Sequence, residues 1–157
     1  MLYFSKGVGF MKRKHLVFLS ILSMALLLSG CSKKEQILSC SKESVEDGVK
    51  VKQVVNSKFS GVEVVDIDMK LVFTLDESMK DNMDLATEAL KSTYNETYNK
   101  EGITLDVSNS GLDINVSIDM DLTKMSKKDK EELELTDVYG TYSATKEEME
   151  NEGYSCK

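Results

Sequence analysis

Four aspartates and three cysteines are the residues here whose types and spacing invite chemistry. Asp66-x-Asp68 and Asp119-x-Asp121 each set two carboxylates two positions apart. On a β-strand that spacing puts both on one face, about 6.6–6.8 Å apart along the chain. Were the two strands neighbours, four carboxylates would crowd one exposed patch. Hard cations such as Ca2+ prefer oxygen ligands, so a weak cation site on Asp66, Asp68, Asp119 and Asp121 is one reading. The plainer one is a solvated polar face that keeps a sheet soluble. No EF-hand loop accompanies the pairs, since the D-x-[DN]-x-[DN]-G-x5-E run is absent. Two acids also serve glycosidases, but one must then have a raised pKa in a pocket, usually beside aromatic platforms. Past residue 30 the chain has Phe59, Phe73 and five Tyr but no Trp, and the paired acids fall on the polar side of their strands.

Composition narrows the field further. Residues 1–30 carry Lys6, Lys12, Arg13, Lys14 and the single His15, with no acid. Residues 31–157 hold 16 basic against 27 acidic groups, a formal charge of −11, and contain no His, Arg or Pro. That removes His-based acid/base catalysis, a Ser-His-Asp triad and arginine clamps on phosphate. Nucleic acid is excluded as a partner, because a −11 surface repels the phosphate backbone that supplies most of such affinity. Met69, Met79, Met83 and Met120 fall on apolar stripes, which suits core filling rather than a soft-metal site. Tyr139, Tyr142 and Tyr154 gather near the C-terminus, where they are expected to cover the edge of a small core. We therefore expect no catalytic residue, no cofactor and no enzyme.

The N-terminus reads as an address. Met11-Lys12-Arg13-Lys14-His15 is basic, and Leu16 to Leu28 is apolar apart from Ser20 and Ser23. Thirteen residues at about 1.5 Å each cannot cross a hydrocarbon core of about 30 Å, so this is a signal h-region and not a spanning helix. Met11 is the better start, residues 1–30 the signal segment. Leu28-Ser29-Gly30-Cys31 resembles the lipobox of bacterial lipoproteins. The resemblance implies cleavage after Gly30, diacylglycerol on the Cys31 sulfur and a place on the extracytoplasmic face of the cell membrane. Two or three acyl chains give stable anchoring where one is marginal. The remaining cysteines, Cys40 and Cys156, form an even pair in an exported chain without His or CxxC, so a disulfide is the simplest reading. Two free buried thiols are the alternative.

These residues need elements to hold them. Residues 31–36 form a polar tether, and 37–157 read as one domain. Strands are expected at Ile37–Lys42 and Val49–Val55, with Asn56 to Gly61 as a hairpin connection. Val65, Ile67, Met69, Leu71 and Phe73 alternate as a third. A helix of 22 residues or so follows, opened by Ser78-Met79-Lys80-Asp81, with Met79, Met83, Ala86, Leu90 and Tyr94 on one stripe, Lys100 in its last turn and Gly102 as its stop. Ile103, Leu105 and Val107 start a fourth strand, and Asn109-Ser110-Gly111 makes a turn. The fifth strand, Leu112 to Leu122, alternates most cleanly. Two short helices close the chain, one capped by Ser126 with Asp129, the other by Thr145 with Glu148 and stopped by Gly153. The fold class is α+β: an antiparallel sheet of about five strands packed on one long helix, with short C-terminal helices.

The lipobox, this order of elements, the Lys124 to Lys130 segment and Glu152-Gly153-Tyr154 together resemble the YehR-like small exported bacterial lipoproteins. The resemblance covers most of residues 11–157 and implies a membrane-anchored domain without a catalytic residue to transfer. The expected role is a binding or interaction module whose partner is an envelope protein or a cell-wall component. The alternative is a divalent-cation binder or envelope ion sensor using the acidic sheet face.

Overall fold

The computed structural model describes residues 34–46, 48–135 and 141–157, all within one compact unit spanning 31–157. The expected signal segment (residues 1–30), Cys31 and Tyr139 lie outside the described residues. No helix among the described residues is long and apolar enough to cross a membrane.

Six strands make one antiparallel sheet. They are β1 (Glu35–Glu46), β2 (Val49–Ser60), β3 (Glu63–Thr74), β4 (Ile103–Ser110), β5 (Asp113–Asp121) and β6 (Ser155–Cys156), in the order β4-β5-β3-β2-β1-β6. The first three form a meander joined by tight turns. The chain then leaves β3, crosses through a 3₁₀ turn (Glu77–Asn82) and helix α1 (Met83–Tyr98), and returns at the far edge as β4. β5 folds back between β4 and β3, so every neighbouring pair is antiparallel.

Alternation decides which face is wet. Ile114, Val116, Ile118 and Met120 on β5 lie opposite Phe73, Leu71, Met69 and Ile67 on β3, and all point to the same side. β4 adds Ile103, Leu105 and Val107, β2 adds Val51, Val55 and Phe59, and β1 adds Leu38 and Cys40. Phe59, Ile114 and Ile118 are fully buried there. A β-bulge corrects one expected position. The β2–β3 register shifts between Lys58 and Phe59, so Phe59 pairs with Val64, and it is Val64 that enters the core where Val65 was expected. The unpaired Val65 offers its carbonyl to the Leu122 amide at 3.0 Å.

The three α-helices of the described residues stand on this apolar side. Helix α1 is tied to β4 through Asn109, whose amide donates to Thr87 Oγ1 at 2.9 Å and to Asp84 Oδ1 at 3.1 Å. Its stripe buries Met83 and Thr87, with Tyr94 and Tyr98 packed at the core's margin. The first turn of the expected long helix is 3₁₀ and begins one residue before Ser78. Asp76 caps it by accepting from the Ser78 amide, so Ser78 is not the cap. Met79 sits in that turn, half-buried and outside the core. Lys100 lies just past the helix, where it pairs with Asp129 and Glu132 of α2 (Lys127–Glu132) and joins the two helices. Ser126 caps α2 as expected, accepting from the Asp129 amide. Helix α3 (Tyr142–Asn151) starts four residues before the expected position, capped by Thr141 and not by Thr145. Tyr142 meets Phe59 edge-on at 5.8 Å, and Tyr154 donates to Gln53 at 2.6 Å, so both cover the core's edge.

β2 runs through Asn56–Ser60, the segment expected to be a loop, and turns at Gly61. The sixth strand is two residues long. Cys156 lies opposite Cys40, and the two are joined by a disulfide across a Cα separation of 4.1 Å. Ser39 and Lys157 exchange both backbone hydrogen bonds, at 2.9 and 3.1 Å. Cys40 and Cys156 are therefore the adjacent non-hydrogen-bonded pair, the position where antiparallel strands bring Cα atoms closest.

Candidate functional site: the open face of the sheet

Among the described residues the helices stand on one side, and none covers the other side of the sheet. Residues of alternate parity line it: Ile37, Ser39, Ser41 and Glu43 on β1, then Lys50, Lys52, Val54, Asn56 and Lys58 on β2. Asp66, Asp68, Lys70 and Val72 follow on β3, with the even residues of β4 and odd residues of β5 beyond. None of these side chains is buried.

The expected acidic patch forms. β3 and β5 are neighbours, Asp66 lies directly opposite Asp121, and Asp68 lies opposite Asp119. Like charges in opposed positions repel, and the site answers with local partners. Lys124 reaches Asp121 at 2.8 Å, and Thr123 donates to it through both its amide and its hydroxyl. Those hydrogen bonds hold the Asp121 carboxyl down at about 2. Asn56 donates to Asp68 at 3.3 Å, and Lys70 stands 3.7 Å from it. Asp66 is the member left in tension. Partial burial pushes its carboxyl above the ordinary range, Asp119 and Asp121 push it further, and Lys58 opposes them. Among the described residues no group of three His, Cys, Asp or Glu side chains converges closely enough to hold a metal ion.

Gly102 frames this end of the patch. Its φ is +83°, and a Cβ there would stand 2.8 Å from the Asp121 carbonyl oxygen. Only glycine lets the turn before β4 press so close and accept the Asp121 amide at 2.8 Å. The depression beside it is lined by Asp66, Thr104, Asp119, Asp121 and Lys124.

The other half of the face carries the opposite sign. Lys50, Lys52 and Lys58 stand in a row on β2 and Lys157 follows β6, partly offset by Glu43 on Lys52 at 3.4 Å and Glu35 on Lys58 at 3.0 Å. A second shallow depression lies there among Ser39, Ser41, Lys52, Val54, Ser155 and Lys157. The lysine row escaped the sequence reading, although Val49-Lys50-Val51-Lys52 carries the period-two signal. What was missing was the strand order that sets β2 between β3 and β1, with Lys58 directly opposite Asp66 and Lys50 and Lys52 at the other end of the strand.

No family model matches the chain, and no curated protein does. One solved structure is similar, an NMR structure of a protein from Streptococcus pneumoniae TIGR4. It shares 12% identity over 92% of this chain and 99% of that one, at a TM-score of 0.54. At that identity the likeness is one of fold alone.

Proposed function

We propose that the mature chain is a lipid-anchored, extracytoplasmic binding module, non-enzymatic, that meets its partner over the open sheet face. One observation carries the reading: all the described helices stand on one side, leaving a broad, charge-divided surface uncovered on the other. A flat face with shallow depressions suits a macromolecule, an envelope protein or cell-wall component, better than a small ligand, which needs concavity. The anchor fits this use. Cys31 precedes Glu35, the first residue of β1, by four positions, so the sheet begins within about 14 Å of the lipid. The −11 charge keeps the domain off an anionic membrane and its face available.

Fatty-acid labelling tests the anchor. Label is expected on the wild type in the membrane fraction and lost in Cys31→Ser; label that persists in that variant would sink the reading. Crosslinking in cells from the sheet face, with identification of the captured molecule, tests the binding surface.

A second reading, a divalent-cation binder or envelope ion sensor, is favoured by the direct opposition of Asp66 to Asp121 and of Asp68 to Asp119. A cation would relieve that repulsion. Calorimetry with Ca2+ and Mg2+ decides it: saturable heat abolished by Asp66→Asn supports it, and heat no larger than weak screening removes it.

A further inference from the structure

The two ends of the sheet are built differently. β1 begins at Glu35, which pairs with Ser60, so the chain from Cys31 enters the sheet at the same end as the β2–β3 turn. That turn is Gly61-Val62, closed by the Ser60–Glu63 pair, with Gly61 at φ +70°. Polar residues usually fill such a turn, yet Val62 is apolar and 64% exposed. In the corresponding β4–β5 turn Leu112 follows Gly111 but is half-buried, and its carbonyl accepts the Leu75 amide at 2.9 Å. Ile37, 65% exposed, stands at the same end as Val62, on the open face.

Charge separates the two ends as well. Beside the β2–β3 turn Lys58 pairs with Glu35 at 3.0 Å and Lys124 with Asp121 at 2.8 Å, and Lys33 and Lys34 of the tether offset Glu63 and Asp66. Those groups sum to zero. At the far end, where β3 leads into the 3₁₀ turn and α1, Asp76, Glu77, Asp81 and Asp84 outnumber Lys80. Val45 and Leu85, the other large exposed apolar side chains, lie at that acidic end.

We infer that the β2–β3 turn docks on the lipid bilayer beside the anchor, Val62 entering the headgroup layer with Ile37 at its margin. The strands then stand on the membrane, and the open face looks sideways along it. The inference rests on the lipid anchor proposed above. Cys31 precedes Glu35 by four residues, so the tether holds this end of the sheet within about 14 Å of the acyl chains. One or two aliphatic side chains are a weak hold for a free protein, each worth roughly ten- to a hundred-fold in an equilibrium constant when fully buried. The anchor supplies the rest, because a short tether turns the contact into an intramolecular one at an effective concentration on the order of millimolar. Electrostatics choose which end makes it. A domain of charge −11 is repelled by anionic lipid, its acidic far end most of all, while Lys33 and Lys34 are drawn to the headgroups. The neutral, apolar turn is the end such a surface admits.

The test couples residues 31–157, the whole compact unit, through the Cys31 thiol to a maleimide lipid in vesicles of phosphatidylcholine with phosphatidylglycerol as the minor component. With Cys40 and Cys156 bonded to each other, Cys31 is the one thiol left to couple. A dansyl side chain is placed at position 62, 37 or 85 in turn, and nitroxide-labelled lipid quenches a probe that enters the headgroup layer. Quenching is expected at 62, weaker quenching at 37 and none at 85. Val62→Asp, a change at an exposed turn, should lower the docking constant read by the probe at 37 about ten-fold. Equal quenching at 62 and 85, or none at either, would overturn the inference. So would quenching at 37 that ignores Val62→Asp. Because the anchor is installed chemically, these results bear on docking alone, and fatty-acid labelling of the wild type reports on the anchor separately.

Discussion

Reducing the Cys40–Cys156 disulfide should remove a large share of this domain's stability while leaving its packing atoms in place. The bond closes a loop spanning a sequence separation of 116. For a loop of that length the chain-entropy relation gives about 5 kcal/mol, and measured losses for native disulfides in small exported domains are about 2–5 kcal/mol. The local effect should be sharper. β6 has two residues, and α3 has ten, too few for an isolated helix to be more than marginal in water. Without the bond they are held by the Ser39–Lys157 pair, the Tyr154–Gln53 hydrogen bond, the Lys42 ammonium on the Glu152 carbonyl at 2.7 Å and the edge-on contact of Tyr142 with Phe59. Urea unfolding with and without dithiothreitol measures the global loss. Hydrogen exchange should show amides of 142–157 losing protection first, while those of β3 and β5 keep theirs at low denaturant. A loss under about 1 kcal/mol, or uniform deprotection of the sheet with the tail, would refute the reasoning. Thiol labelling of the unfolded Cys31→Ser chain after export should find no free sulfur; two labelled cysteines would mean the bond does not form.

Asp66→Asn should stabilise at pH 7 by about 0.2–1 kcal/mol, since it removes a carboxylate facing like charge. Asp66 is raised in the fold, so its protonated form is favoured there; the advantage of the variant should shrink as pH falls through that raised value and vanish below about 4. Asp121→Asn should do the reverse. The Asp121 carboxyl is held at about 2, so its stabilising effect is complete above the ordinary value of 3.8 and fades only as pH drops toward 2. Urea midpoints at pH 7 and pH 3 check both. Gly102→Ala, which forces a Cβ against the Asp121 carbonyl at positive φ, should cost about 1–3 kcal/mol or more in the same assay. Phe59→Ala, at the fully buried junction of β2 and α3, should cost about 3–5 kcal/mol.

The strongest periodicities translated directly into structure, and the departures share a cause. Ile114 to Met120 alternate without interruption and became the core of β5. Val65 did not follow its pattern because a bulge is a property of two strands, and the shift lies opposite Lys58 and Phe59. Thr145 is the better cap locally, with Glu148 three residues on where Thr141 has Ala144; the helix nevertheless begins after Thr141, where Tyr142 docks on Phe59. β6 is too short to carry any period and exists because Cys156 is bonded to Cys40. The four aspartates were visible as i, i+2 pairs, yet their opposition depends on β5 inserting beside β3. The lysine row is likewise a product of strand order, which period-two patterns do not encode.

Photo-crosslinking in living cells, compared between the two faces, tests the central claim most directly. A crosslinking residue at Lys52 or Ser117 samples the open face, and one at Ser92 or Glu147 samples the exposed side of a helix. Specific adducts to one envelope component from Lys52 and Ser117, absent from Ser92 and Glu147, are the predicted result. Adducts confined to the helix positions would contradict it.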